Sequence, residues 1–175
     1  MNLHKLLAAR EAEKKPVRIG VIGAGKFGSM YLAQAIRTSG IHVLGIADLD
    51  LDKARAALAR VGWPEDQYSA RKHGGTFLTD DAAALIAADG LDVVIDATGN
   101  PGAGIRHALL AFDHGRHVVM VNVEADALAG PLLARRAAEA GVVYSLAYGD
   151  QPALICELVD WARTCGFEVI AAGKG

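Results

Sequence analysis

The chain contains 175 residues, of which 52% are hydrophobic and 22% are charged, and its formal net charge is -2. This length and apolar content predict a single domain with a substantial core. The sequence lacks the basic patch that holds a nucleic-acid backbone, and no apolar run reaches the roughly 20 residues of a membrane span. We therefore expect a cytoplasmic protein that binds a small molecule rather than a nucleic acid or a membrane.

Strand-like and helix-like patterns alternate along the chain. Residues 1–15 predict a charged helical extension, and residues 16–175 predict one domain. Continuously apolar strands separated by helices are typical of an α/β fold with a doubly wound parallel sheet of the Rossmann type. The predicted strands are 17–22, 42–47, 76–79, 91–96, 117–121, 142–146 and 167–172, and the predicted helices are 27–38, 51–61, 80–88, 102–113, 128–140 and 152–165.

Turn residues separate these elements. The polar stretch 62–75 predicts a surface loop, and Asn100 followed by Pro101 predicts a helix start. Glycines that follow a helix and precede a strand are expected in the left-handed conformation, and they are Gly40, Gly90, Gly115, Gly141 and Gly166.

The first predicted strand ends in a glycine-rich turn. Gly23, Gly25 and Gly28 have the Gly-x-Gly-x-x-Gly spacing of a dinucleotide fingerprint, directly before a helix. The first glycine allows the tight turn, the second lets the backbone approach a pyrophosphate, and the third lets helix and sheet pack closely. Free N–H groups at the helix start, at Lys26 and Phe27, are expected to complete the phosphate site. The alternative is an ordinary glycine turn.

Asp48 ends the second predicted strand, 20 residues after Gly28. A carboxylate at this position accepts hydrogen bonds from the adenosine ribose and repels the additional phosphate of NADP. We therefore expect NAD as the cofactor, and NADP stays possible because Lys53 and Arg55 are close in sequence. The alternative role for Asp48 is that of a helix N-cap.

Small polar residues follow the next two strands. Thr98 and Gly99 come after the fourth predicted strand, and Asn122 comes after the fifth. Ligands of open α/β sheets bind outside the carboxyl ends of the strands, so these residues are expected to line the nicotinamide side of the cofactor site. For Thr98 and Gly99, the alternative is an ordinary strand-to-helix turn.

Ionisable residues near the predicted strand ends are candidates for a proton transfer that accompanies hydride transfer. We expect catalytic roles for Glu124, Asp150 and Lys174, with Asp126 as a further candidate. In the alternative interpretation the three carboxylates cap helices and Lys174 is solvated.

Histidines and cysteines do not predict a metal site. His107, His114 and His117 are expected at a helix end and a strand start, away from the ligand edge of the sheet. Cys156 and Cys165 have neither disulfide nor zinc spacing, and we expect them to be core or half-buried residues.

Three segments carry a resemblance to a known family. They are the run His-Val-Val-Met-Val-Asn-Val-Glu-Ala-Asp at 117–126, the run Gly-Val-Val-Tyr-Ser-Leu-Ala-Tyr-Gly-Asp at 141–150, and Ala-Gly-Lys-Gly at 172–175. With them, the chain resembles homoserine dehydrogenase-like, NAD(P)-dependent oxidoreductases that carry a C-terminal SAF domain. This group includes the deoxyxylulose-phosphate reductoisomerase-like proteins of an alternative isoprenoid route.

The resemblance implies that the chain is the nucleotide-binding N-terminal portion of an enzyme, with a catalytic and dimerisation region and a SAF domain after Gly175. The full-length protein is then expected to be a homo-oligomer that acts on a small polar hydroxy or oxo acid or a sugar phosphate. Val123 stands where homoserine dehydrogenases have a lysine, and Asp48 stands where the reductoisomerase-like proteins have arginines. A non-catalytic NAD-binding module is the alternative from a different functional class.

Overall fold

The computed structural model describes residues 2–68, 75–149 and 151–173. In this part of the chain, strands and helices alternate as the sequence predicts. The strands are β1 (Val17–Ile22), β2 (Ile41–Ala47), β3 (Phe77–Thr79), β4 (Val93–Asp96), β5 (His117–Met120) and β6 (Tyr144–Leu146). The helices are α1 (Leu3–Ala12), α2 (Lys26–Ala35), α3 (Leu51–Arg60), α4 (Glu65–Tyr68), α5 (Ala82–Ile86), α6 (Pro101–Asp113), α7 (Val123–Glu139) and α8 (Gln151–Thr164).

The strands form one parallel sheet in the order β3-β2-β1-β4-β5-β6. The chain first moves outward from β1 to β3 and then returns to pair β4 with the other side of β1. This reversal leaves a crevice outside the carboxyl ends of β1 and β4, which is where open α/β sheets bind their ligands. The predicted doubly wound Rossmann fold is therefore confirmed.

Two apolar clusters form the core, and both contain residues of β1, β2 and β4. One cluster includes Leu85 and Phe112 together with residues of α7, and the other includes Leu32, Ile46 and Leu58. Strand side chains alternate between the two faces of a sheet, so each strand buried on both faces is continuously apolar in sequence. This double burial explains why the apolar runs were sufficient to predict the central strands.

The turn residues also adopt the predicted conformations. Asn100 accepts a hydrogen bond at Oδ1 from the backbone N–H of Ala103 at 2.9 Å and so caps α6, with Pro101 in its first turn. The φ angles are between +68° and +83° at the five glycines predicted to be left-handed, which are Gly40, Gly90, Gly115, Gly141 and Gly166. These positions fix where each helix stops and the chain turns toward the next strand.

The C-terminal part differs from the sequence prediction. The seventh strand predicted at 167–172 is wrong, because residues 167–173 do not pair with the sheet and Phe167 and Ile170 are exposed. None of the residues of helix α8 is buried. The helix therefore does not pack so as to place the residues that follow it beside β6. Cys156 and Cys165 are consequently exposed free thiols, contrary to the expected core or half-buried positions.

Element boundaries also differ elsewhere in the chain, most clearly at α7 and α4. The helix predicted at 128–140 begins at Val123, because Asn122 caps it five residues earlier than expected. The stretch predicted as a loop at 62–75 contains the short helix α4, and its residues 69–74 lie outside the described part of the chain.

The N-terminal extension contains helix α1, which contacts the domain at Gly40. The Glu11 carboxylate accepts a hydrogen bond from the Gly40 N–H at 2.8 Å, while Leu3 and Leu6 are exposed. Within the described ranges, none of the helices has the length and apolar character needed to cross a membrane.

Gly28 fixes the approach of α2 to β1, and its replacement tests this packing. A Cβ atom at Gly28 would collide with the carbonyl oxygen of Gly23. We expect Gly28→Ala to lower the free energy of unfolding by about 1–3 kcal/mol, because the backbone must shift to relieve the overlap. Urea unfolding measures this change.

Gly102→Ala is the matched control, since its Cβ would lie 3.5 Å from the Arg106 side chain in ordinary contact. It should leave the stability unchanged or increase it, because alanine favours a helix more than glycine does. A Gly28→Ala protein as stable as wild type would contradict this account of the packing.

Candidate functional site

The fingerprint glycines form a tight turn between β1 and α2. Gly23 has a φ angle of +97°, and a Cβ atom built on it would lie 2.8 Å from the carbonyl oxygen of Ala97. Gly28 is buried directly against the Gly23 carbonyl. Gly23 must be glycine because of its positive φ angle and the nearby Ala97 carbonyl. Gly28 must be glycine because a side chain would prevent the contact between α2 and the end of β1. These are the two mechanical roles predicted for them.

The start of α2 is open. Gly25 occupies the N-cap position without a side-chain cap, and a Cβ atom built on it would meet no heavy atom within 4 Å. The first N–H groups of a helix have no intrahelical partner, so those at Lys26 and Phe27 are available to a ligand. Five other helices in the described part, α1, α3, α5, α6 and α7, are capped by side chains, namely by Asn2, Asp50, Asp81, Asn100 and Asn122.

This open helix start fits an anionic group. The unpaired N–H groups and the positive end of the helix dipole both favour a phosphate, and the missing side chain at Gly25 leaves room for it. The residues present therefore fit the pyrophosphate of a dinucleotide.

Asp48 lies half-buried at the end of β2, next to this turn. Its Oδ2 accepts a hydrogen bond from the Ala24 N–H at 2.7 Å, and its Oδ1 accepts one from the Asp50 N–H at 3.0 Å. The N-cap of α3 is Asp50, whose side chain accepts from the Lys53 N–H. The alternative interpretation of Asp48 as a helix cap is therefore wrong, and each of its oxygens retains lone pairs for further donors.

A cleft of ≈ 390 Å³ extends over the carboxyl ends of β1, β2 and β4. It brings together three of the predicted cofactor-binding residues, Gly23, Asp48 and Thr98. One wall is formed by α6, and the facing wall is formed by the segments that follow β2 and β3. The full lining is Ile22, Gly23, Ala47, Asp48, Leu49, Asp80, Ala82, Thr98, Asn100, Ala103, Arg106 and His107.

A buried polar network underlies the turn after β4. Asp96 is fully buried, and its Oδ1 accepts hydrogen bonds from the N–H of Thr98 at 3.2 Å and from the Thr98 hydroxyl at 2.8 Å. Asn122 donates from Nδ2 to Thr98 Oγ1 at 3.2 Å and to the Asn100 carbonyl at 2.8 Å. The turn containing Thr98 and Gly99 is thus held from β4 and from the start of α7.

Asn122 itself is almost completely buried. In addition to its two donated hydrogen bonds, its Oδ1 accepts from the Ala125 N–H at 3.1 Å and caps α7. The structure therefore brings Asn122 to the predicted segment, where it supports Thr98 from behind. Gly99 has a φ angle of +68° and is exposed at the turn.

His107 occupies a different place from the one predicted. Its Nδ1 lies 2.7 Å from Asp96 Oδ2, and the residue lines the cleft, so the expectation that it lies away from the ligand edge is wrong. Its position in the second turn of α6 is the reason, since α6 begins at Pro101, directly after the strand-end turn. The sequence contains a signal for this position. Ala103 and His107 are spaced i, i+4, so they lie on the same face of the helix that begins after the Asn100 cap.

His117, by contrast, lies at the start of β5, where its ring is hydrogen-bonded to the backbone. Its Nδ1 accepts a hydrogen bond from the Val143 N–H at 3.0 Å. His114 is the C-cap of α6 and is exposed. In the described ranges, no group of three His, Cys, Asp or Glu side chains is placed to hold a metal ion.

The proposed catalytic residues fall into two groups. Glu124 is exposed in the first turn of α7 and does not line the cleft. Asp150 and Lys174 lie outside the described residues. Neither Glu124 nor Asp126 caps α7, since Asn122 does.

Asp126 accepts a hydrogen bond from the Tyr144 hydroxyl at 2.8 Å, which joins α7 to β6. Burial raises the pKa of Tyr144, and the hydrogen bond to Asp126 and the charges of Asp126 and Asp96 add to this shift. The phenol therefore stays protonated and keeps donating to Asp126.

Several solved structures share this fold. An NAD binding oxidoreductase from Klebsiella pneumoniae is 22% identical, with 86% of this chain and 39% of that chain covered and a TM-score of 0.60. A homoserine dehydrogenase from Thiobacillus denitrificans is 24% identical, with coverages of 75% and 29% and a TM-score of 0.63.

A myo-inositol dehydrogenase from Lactobacillus casei, solved in complex with NAD(H) and myo-inositol, is 18% identical, with coverages of 84% and 42% and a TM-score of 0.58. The chain thus spans less than half the length of each of these three proteins. No curated protein matches the chain.

Two family models match different parts of the sequence. Residues 149–175 match the catalytic domain of oxidoreductase DRL. Residues 17–121 match the oxidoreductase family with an NAD-binding Rossmann fold, GFO/IDH/MocA. The second match covers more than half of the 175 residues, and it coincides with β1 through β5 and the cleft. The chain therefore belongs to the GFO/IDH/MocA family of oxidoreductases, whose Rossmann fold binds NAD.

Proposed function

We propose that this chain is the cofactor-binding domain of an oxidoreductase that transfers a hydride between NAD and a small polar hydroxy or oxo compound. The observation that carries the proposal is the uncapped start of α2, where Gly25 leaves open space beside Asp48. When bound, the nicotinamide cofactor supplies the hydride acceptor or donor.

The start of α2 and the residues around the cleft have separate tasks in this proposal. The N–H groups at Gly25, Lys26 and Phe27 bind the pyrophosphate, and Asp48 accepts from the hydroxyls of the adenosine ribose. Asp48 also disfavours NADP, because its carboxylate would face the additional phosphate. On the other side of the turn, Thr98 and Gly99 border the nicotinamide ribose and Asn122 holds them in place.

The match to the DRL catalytic domain favours one substrate class. It begins at residue 149 and includes α8, and it agrees with the resemblance of this chain to reductoisomerase-like proteins. A sugar phosphate is therefore the substrate class that we place first. Homoserine-like hydroxy acids come second, since the similarity to the homoserine dehydrogenase concerns the fold alone.

The remaining catalytic roles belong to the junction with a second domain. Helix α8 buries none of its side chains, and Leu158 and Trp161 are both 61% exposed. A domain that continues beyond Gly175, with a catalytic region and a SAF domain, would cover this apolar face and complete a homo-oligomeric enzyme. We assign Glu124, Asp150 and Lys174 to proton transfer or substrate binding in that longer protein.

A non-catalytic NAD-binding module is the other candidate. It uses the same cleft, so NADH binding alone does not distinguish it from the enzyme. The reading frame downstream of Gly175 distinguishes the two candidates. Continuation into a catalytic region supports the enzyme, whereas a stop codon supports the module.

Replacement of Gly25 tests the pyrophosphate site. Its backbone angles suit alanine, and the added methyl group meets no protein atom. We expect Gly25→Ala to fold as stably as wild type but to bind NADH at least about tenfold more weakly, since the methyl group occupies the space of the phosphate. Calorimetric titration and urea unfolding measure the two properties, and unchanged affinity would contradict the proposed pyrophosphate site.

Asp48→Asn tests cofactor choice. The amide keeps the size of the side chain but loses the charge that repels the phosphate of NADP. We expect NADH affinity to fall by about tenfold and the preference for NADH over NADPH to disappear. Asp52→Asn is the control, because Asp52 is an exposed carboxylate close in sequence, in the first turn of α3, paired with Arg55 at 3.0 Å. A preference that survives in Asp48→Asn would show that another residue selects the cofactor.

The isolated 175-residue chain should bind NADH without turning over substrate. The groups that would hold a substrate belong, in our proposal, to the missing catalytic region. This expectation is checked by recording the change in NADH absorbance over time with homoserine, with the oxidised form of homoserine, or with sugar phosphates. Turnover above the protein-free background would show that the chain is a complete enzyme.

A further inference from the structure

The wall of the cleft contains a hydrogen-bonded acid–histidine pair. Asp96 ends β4 and is fully buried, and its Oδ2 lies 2.7 Å from Nδ1 of His107 on α6. The His107 side chain is only 19% exposed, and the residue lines the cleft. The proposed pyrophosphate site does not use this pair. Burying a carboxylate costs free energy unless the group is fully hydrogen-bonded.

The hydrogen bonds around Asp96 fix the proton on His107. Asn122 donates to Thr98 Oγ1, so the Thr98 hydroxyl points its own hydrogen at Asp96 Oδ1, where the Thr98 N–H also donates. Asp96 thus acts as an acceptor throughout, and Nδ1 of His107 carries the hydrogen that faces it. In the neutral ring, Nε2 is then an acceptor.

Nε2 of His107 is on the side of the ring away from Nδ1, and the residue lines the cleft. Nε2 makes no hydrogen bond with the described residues, and it is not among their buried unpaired polar atoms, so solvent reaches it. Across the cleft are Asp48 and Leu49, and Leu49 is an apolar side chain that is 94% exposed. A base attached to a ribose held by Asp48 would therefore enter the cleft that Leu49 and His107 both line.

We propose that Nε2 of His107 accepts a hydrogen bond from the 6-amino group of the cofactor's adenine, and that Asp96 positions this acceptor. The inference rests on the proposed NAD site and deepens it, because it makes His107 the residue that selects the base. A 6-amino group is a donor, whereas the 6-oxo group of hypoxanthine is an acceptor. An acceptor held against an acceptor leaves both groups unpaired and disfavours the wrong base.

The test compares NADH with reduced nicotinamide hypoxanthine dinucleotide in parallel calorimetric titrations of the same protein. We expect wild type to bind NADH about tenfold more tightly than the analogue. Equal affinities would overturn the inference while leaving the proposed NAD site intact. Failure to bind either dinucleotide would instead overturn the proposed function, and the inference with it.

Two variants separate base selection from a purely structural role. His107→Asn retains a side-chain N–H near the position of Nδ1, facing Asp96, but has no group at Nε2. Its preference for NADH should fall to nearly equal affinities, whereas His114→Asn at the exposed end of the same helix should keep the full preference. An unchanged preference in His107→Asn would overturn the inference.

Asp96→Asn tests the positioning role. The two Thr98 donors hold the amide oxygen, so the amide nitrogen faces His107 and donates to Nδ1. The hydrogen of His107 then moves to Nε2, which becomes a donor, as in catalytic triads whose aspartate is changed to asparagine. We expect the preference to reverse in favour of the hypoxanthine analogue. A general loss of affinity that leaves the wild-type preference unchanged would contradict positioning by Asp96.

Discussion

The close contact between the β1–α2 turn and the end of β4 determines the rest of this structure. Gly23 lies so near the Ala97 carbonyl that a side chain cannot be accommodated, and Gly28 lies even closer to the Gly23 carbonyl. These contacts bring the start of α2 to the crevice where the strand order reverses. Because the helix start is uncapped and Gly25 adds no side chain, the crevice ends in unpaired N–H groups. The structural requirement for glycine and the proposed anion site thus involve the same six residues, 23–28.

The polar network after β4 gives the opposite side of the cleft its shape. Asp96 is a buried carboxylate that accepts from Thr98 and contacts His107, and Asn122 connects the turn to the start of α7. A carboxylate in this position is stabilised only when each hydrogen bond is present, so the network specifies one arrangement of the turn. Its rigidity has a functional consequence, since a preorganised wall lowers the entropy lost when a cofactor binds.

The sequence predicts the fold and the cofactor turn because both depend on local rules. Apolar runs, helix caps and left-handed glycines predict β1 to β6 and the helices between them. The seventh strand was wrong because pairing depends on where α8 packs, which a local pattern does not contain. The side of the sheet on which His107 lies could be inferred from its place in the second turn of α6, but its contact with Asp96, eleven residues earlier and on another element, could not. The proton-transfer residues stay predictions, since Glu124 is exposed and Asp150 and Lys174 lie outside the described residues.

The central claim is that the open start of α2 binds the pyrophosphate of a nicotinamide dinucleotide. Amide chemical shifts of the ¹⁵N-labelled chain, followed during titration with NADH, test this claim most directly. The account predicts that the largest shifts occur at Gly25, Lys26 and Phe27, with smaller ones around Asp48 and Thr98. If NADH shifts amides elsewhere and leaves residues 25–27 unchanged, the glycine turn is purely structural and the cofactor site lies in another part of the molecule.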